Sequence, residues 1–170
     1  EIDNSELSAW PSSAIRLANV TGVNIHHNVL QYNRRQEHNN TCGSHSYGLG
    51  YGVVMSSGGA VIKANVFDHN RHDIASGGEA GSFYRAIYNL VLTGAVQHSY
   101  DVHGGKDRKD CTNVAGSGFV VHHNTFIQNR KPAVRIRGIP MRGMWIYKNE
   151  YGKRTGYAPY SQINSSGRFH

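Results

Sequence analysis

The stretch VVHHNTFIQNR (residues 120–130) repeats text already met as NIHHNVLQYNR (residues 24–34). Each copy has a His pair, an Asn, an apolar pair and then Asn-Arg. Shorter echoes occur as EIDN (1–4), VIKAN (61–65), RAIYN (85–89) and WIYKN (145–149). Asn4, Asn28, Asn65, Asn89, Asn124 and Asn149 are spaced by 24, 37, 24, 35 and 25 residues. The two long intervals hold extra text, QEHNNTCGSHSYGLG (36–50) and KDRKDCTNVAG (106–116), over a base of 24. A period of this length is the signature of a solenoid, in which each repeat buries its apolar face against the next.

Within a repeat the apolar residues alternate. Ile25, Ile62, Val121 and Ile146 fall three places before the Asn. Leu30, Phe67, Val91, Phe126 and Tyr151 fall two places after it. Side chains of a strand alternate between faces, so these columns are expected to point inward. A second Asn column, Asn33, Asn70 and Asn129, follows five residues on. Asn tolerates left-handed backbone, and stacked copies can bond from coil to coil. A helical solenoid would show apolar spacings of three and four over ten or more residues, which this text lacks. Hexapeptide repeats of a left-handed β-helix are also missing. The expected fold is therefore all-β: a right-handed parallel β-helix of about six coils, period about 24 residues, over 1–156, with 157–170 as a tail or cap. The first coil is already under way at Glu1. Earlier coils or another chain stacked there to cover that end, or a frayed end, are expected.

The 170 residues carry a formal charge of +7, with 20 Gly and 17% charged residues. A basic surface favours an anionic partner. No run of 18 apolar residues occurs, so no membrane span is expected. No signal peptide is visible, and the absent initiator Met suggests a mature or trimmed product. Cys42 and Cys111, one in each insertion, suit a disulfide in a secreted or extracellular protein, periplasmic placement being compatible; two free thiols are the alternative. Trp10 and Trp145 read as packing residues.

The His pairs raise a metal question. They lie three coils apart, about 14 Å along the stack, so they cannot share one ion. Adjacent rings on a strand point to opposite faces, which makes each pair a poor chelate. The pairs therefore read as scaffold. The strand upstream of the Asn strand reads differently: GYGVVMSSGG (50–59), RHDIASGG (71–78), YDVHGG (100–105) and AVRIRG (133–138). On successive rungs these would gather Tyr51, Arg71, His72, Asp73, Tyr100, Asp101, His103, Arg135 and Arg137 on one surface. Their terminal glycines would let a ligand approach the backbone, and the two insertions would wall a cleft.

The repeat text resembles the pectate-lyase-like superfamily of right-handed β-helices, whose members include lyases, hydrolases, epimerases, adhesins and copper-maturation proteins. YDVHGG is further similar to the Asp-x-His motif of alginate C5-epimerases and related lyases, with Val102 where those enzymes usually have Pro. The resemblance implies an acidic, uronate-type polysaccharide as partner rather than nucleic acid. The residues suit such chemistry. Arg135, Arg137, Arg71 and Tyr51 would bind the substrate, the arginines neutralising the carboxylate. His103 or His72, oriented by Asp101 or Asp73, would take the C5 proton, and Tyr100 or Tyr51 would protonate the leaving oxygen. Elimination makes a lyase; reprotonation on the other face makes an epimerase. An Asp73–Asp101 pair about 5 Å apart would instead serve hydrolysis. A non-catalytic glycan-binding solenoid is the third reading. No cofactor is required, although His72, Asp73, Asp101 and His103 are a candidate divalent-metal set, which would make a metal-binding secreted protein the fourth.

Overall fold

The structure is a computed structural model that describes residues 1–35, 38–39, 45–46, 48–127, 130–153, 156 and 158–162. Three parallel sheets of six strands each form a parallel β-helix of six coils, as the repeat required. Sheet A holds Ile2–Asp3, Val20–His26, Gly58–Lys63, Phe83–Ile87, Gly118–His122 and Gly143–Tyr147. Sheet B holds Glu6–Ser8, Val29–Gln31, Val66–Asp68, Leu90–Val91, Thr125–Phe126 and Glu150–Tyr151. Sheet C holds Ser13–Leu17, Tyr51–Met55, His72–Ser76, Tyr100–Val102, Val134–Ile136 and Tyr160–Gln162. The chain runs A, B, C in every coil. The last strand of sheet C lies inside the segment read from sequence as a tail, so the solenoid continues past residue 156.

The core is built from columns in register. Ile2, Ile25, Ile62, Ala86, Val121 and Ile146 stack in sheet A. Leu7, Leu30, Phe67, Val91, Phe126 and Tyr151 stack in sheet B. Most of these side chains are fully buried. Fully burying one large apolar side chain is worth about 1.5–3 kcal/mol, so these columns dominate the stability of the stack.

The corner between sheets A and B explains the asparagines. Asn4, His27, Ala64, Tyr88, His123 and Lys148 all adopt left-handed φ, between 46° and 55°. That kink turns the chain sharply and brings the next residue's side chain inside the corner. There each Asn bonds to its neighbour on the following coil. The Nδ2 to Oδ1 distances are 3.0 Å for Asn28–Asn65, 3.1 Å for Asn65–Asn89, 2.9 Å for Asn89–Asn124 and 2.9 Å for Asn124–Asn149. The same oxygens accept the backbone N–H of the preceding rung. The first rung departs from the sequence alignment by one residue. Ile2 pairs with Ile25, Asn4 takes the kinked position, and Ser5 stands opposite Asn28, whose Oδ1 accepts its N–H.

The kink also corrects the expectation that paired His rings face opposite ways. The strand has ended at the second His, so both rings swing to one side. Nδ1 lies 2.8 Å from Nδ1 in His26–His27 and 2.6 Å in His122–His123. The second ladder joins Asn33 to Asn70 at 2.9 Å. Asn129 lies outside the described residues.

Both insertions interrupt the chain at a border of sheet C. The first falls in the chain between the sheet B strand Val29–Gln31 and the sheet C strand Tyr51–Met55, and 106–116 depart between sheets C and A. The second opens with a short helix, α1 (Gly105–Arg108). Arg108 fastens it to the coil by donating to the carbonyl of Gly77 and closes the insertion on itself by donating to that of Val114, both at 2.8 Å. Cys111 is an exposed free thiol and Cys42 lies outside the described residues; no disulfide is found among those described, so the expected bridge is not supported. Among the described residues no helix is long and apolar enough to cross a membrane.

Candidate functional site

Sheet C is where polar residues invade the stack. Its strands bring residues 72–76, 100–102 and 134–136 onto neighbouring rungs, with Ala75 opposite Asp101 and Asp101 opposite Arg135. Residues thirty apart in the chain are thereby neighbours in space. Ile74, Tyr100 and Val134 form the adjacent inward column and are fully buried. Asp101, between two inward-facing residues, projects from the outer face of the sheet.

Asp101 is nonetheless fully buried, because other side chains close over it. Arg137 Nε lies 3.2 Å from Oδ1 and Nη2 lies 2.5 Å from Oδ2. His103 Nε2 is 2.9 Å from Oδ2, and His98 Nε2 is 3.0 Å from Oδ1. Burial alone would raise the carboxyl pKa. The hydrogen bonds and charge of His103 and His98 outweigh it and hold Asp101 well below the usual carboxylate range. His103 and Arg137 are about a third to a quarter exposed and form the solvent-facing rim. Asp107, delivered by α1, approaches His103 Nδ1 at 3.7 Å and Arg137 Nε at 3.4 Å. Nε2 of His103 also touches an N–H of Arg137, so this ring nitrogen sits between one acceptor and one donor.

On the other flank, His72 stacks on Tyr51 with ring centroids 5.7 Å apart, and the His98 ring lies 4.3 Å from it. Its Nδ1 is 2.8 Å from the carbonyl oxygen of His98. Burial lowers the His72 pKa to about 3 and also lowers that of His98, so both rings are neutral at pH 7. His98 and Asp107 were not singled out from sequence. QHSYDVH has His98 three residues before Asp101, a spacing that a search centred on Asp-x-His passes over. Asp107 reads as one more charge in a polar insertion.

Two residues expected at the site are elsewhere. Asp73 points into the corner between sheets B and C, where its Oδ1 accepts from Asn70 Nδ2 at 2.9 Å. Burial pushes its pKa up to about 7. It is fully enclosed there, and it is not among the residues whose ligand atoms converge with those of Asp101. Tyr100 belongs to the core. Its ring packs edge-on against Phe67, Tyr84 and Phe126, so its phenol has no path to a polymer. Tyr51, half-buried, is the phenol left on this surface. Arg71 is also half-buried, at the start of its rung beside His72. Arg135 is half-buried, its Nε without a hydrogen-bond partner among the described residues.

The strand-ending glycines serve coil stacking rather than ligand approach. A Cβ on Gly78 or Gly104 would overlap the carbonyl oxygen of His103 or Arg137 on the next coil. Trp145 is not a core residue: with Arg85 and Arg142 it lines an apolar groove of about 600 Å³ on sheet A. Trp10 is exposed.

Among the described residues, a ring nitrogen each of His72 and His98 and a carboxylate oxygen of Asp101 lie within 4.8 Å of one another. This differs from the set read in the sequence, because Asp73 faces the corner and His103 sits on the far side of Asp101. A second cluster, Glu1, Asp3 and His26, is surface-exposed or half-buried. No family model matches this chain, and neither a curated protein nor a solved structure matches it.

Proposed function

We propose that the protein is a secreted enzyme that removes the C5 proton of a uronate residue in an acidic polysaccharide, as a lyase or epimerase of the pectate-lyase-like kind. One observation carries the reading: a partly exposed histidine, His103, leans on a fully buried carboxylate, Asp101, with Arg135 and Arg137 on the next rung. A base fixed by an ionised acid beside two cations is the set that abstraction next to a carboxylate needs.

The steps follow from the side chains. With its proton on Nε2 facing Asp101, His103 presents the Nδ1 lone pair as base. Arg137 is engaged by Asp101 and Asp107, so Arg135 meets the substrate carboxylate and stabilises the negative charge that builds on it. The C5–H electron pair passes into that carboxylate as the proton moves to His103. In elimination, the pair then forms the C4–C5 double bond and the C4–O bond breaks. A solvent proton goes to the departing oxygen. In epimerisation no bond to C4 breaks, and a solvent proton adds to C5 on the opposite face while His103 keeps the one it removed. Arg71 extends the cationic strip for the flanking sugar.

Incubation with a panel of uronate polymers tests this through ultraviolet absorbance of unsaturated ends and NMR of the C5 configuration. His103→Ala is expected to lower turnover by about 100-fold or more, in line with the 10²–10⁴-fold contribution of a general base. Arg135→Met should lower kcat as well as raise KM, so that kcat/KM falls by more than KM rises. Undiminished turnover in His103→Ala would remove this residue from the chemistry.

A further inference from the structure

We infer that His72, His98 and Asp101 form a binding site for one divalent transition-metal ion of the zinc class. The three ligand atoms come from two adjacent rungs and converge within 4.8 Å, and all three residues are buried. His98 Nε2 and Asp101 Oδ1 are 3.0 Å apart, close to the separation of two ligands that each lie about 2 Å from one ion.

The histidines are prepared for coordination. A backbone carbonyl can only accept, so the contact from His72 Nδ1 to the His98 carbonyl places the proton on Nδ1 and the lone pair on Nε2. Metal-binding imidazoles are commonly oriented by this kind of outer hydrogen bond. His98 is 6% exposed and its Nε2 faces Asp101 Oδ1 at 3.0 Å; a metal ion would take the place of the proton between them.

Of the three arginines whose charge reaches the histidines, Arg71, Arg135 and Arg137, the last is matched by Asp101 and, at 3.4 Å, by Asp107. Asp101 Oδ1 faces His98 and also accepts from Arg137 Nε, while Oδ2 faces His103 and the Nη2 of Arg137. Metal binding on one side therefore leaves the His103 contact in place. Two imidazoles and one carboxylate suit zinc, manganese or copper, and argue against calcium, which takes oxygen ligands.

Calorimetry on chelator-stripped protein titrated with zinc chloride, no polysaccharide present, tests the site independently of the enzyme reading. One zinc per chain is expected, with calcium failing to compete. His98→Ala and Asp101→Asn should weaken binding by about 100-fold or more, whereas His26→Ala and His123→Ala should leave it unchanged. Should His98→Ala fail to fold, ring ¹⁵N NMR of the unmodified protein decides. Zinc must shift the His72 and His98 resonances and spare the His26, His27, His122 and His123 pairs. Absence of stoichiometric binding, binding unaltered in His98→Ala, or shifts confined to the exposed pairs would overturn the inference.

Discussion

Asp73 and His72 are neighbours in the chain, both buried, and burial drives their ionisation in opposite senses. His72 titrates at about 3 in the folded protein against 6.5 unfolded. Between those values the unfolded chain takes up a proton that the native state refuses, so stability falls as pH is lowered. His98, lowered for the same reason, adds to this. Asp73 titrates at about 7 folded against 3.8 unfolded. Between those values the native state holds a proton that the unfolded chain releases, so stability falls as pH is raised. From 3.8 to 6.5 Asp73 offsets one of the two histidines. Asp73→Asn keeps the oxygen that accepts from Asn70 and deletes the titration. With chelator present, it should steepen acid destabilisation in that window by roughly 1 kcal/mol per pH unit and be more stable than the parent above pH 7. Urea unfolding across pH would show this, and parallel stability curves for the two proteins would count against it. None of these shifts was legible in the residues. RHDIAS reads as an alternating strand with Asp73 on a fixed face. The chain bends where Asn70 captures it, and that contact depends on the coil geometry rather than on local text.

At the scale of the element, the Asn ladder is the device that holds the corners. Asn89 Nδ2 donates to Ile62 O and to Asn124 Oδ1, and Asn89 Oδ1 accepts both N–H groups of Asn65. Asn89→Ala would leave several of these buried groups unpaired, at about 1–3 kcal/mol each. A loss of about 3 kcal/mol or more in urea unfolding is expected. Asn149→Ala, at a half-exposed outer rung, should lose about 1 kcal/mol. Equal costs at both positions would mean the ladder is not cooperative with burial. Gly52 is a second sensitive point. A Cβ there would lie 2.8 Å from the Phe67 ring and 2.7 Å from the Asp73 carbonyl oxygen, so Gly52→Ala should cost about 1–3 kcal/mol by overpacking. The ladder was visible in sequence because period and residue type agree. Its first rung was misplaced because Asn4 resembles a ladder Asn, while only pairing of Ile2 with Ile25 reveals that it is the kinked residue.

At the scale of the whole molecule, the repeat decided the fold because every coil must present the same inward columns to its neighbours. The site was only half visible. Asp101, His103, Arg135 and Arg137 could be aligned by their strands, whereas His98 and Asp107 arrive from a connecting loop and an insertion that no period constrains. The net charge of +7 should make binding to uronate polymers fall steeply with salt, while neutral polymers of the same linkage bind weakly at any salt. The chemistry itself is tested most directly by running the reaction in D₂O with uronate polymers and following C5 by NMR and mass spectrometry. Proton abstraction at C5 should yield deuterium at that carbon in recovered polymer, or unsaturated ends without it. Neither change on any uronate polymer, with folded protein, would contradict the assignment of His103 and Asp101 as the abstracting pair.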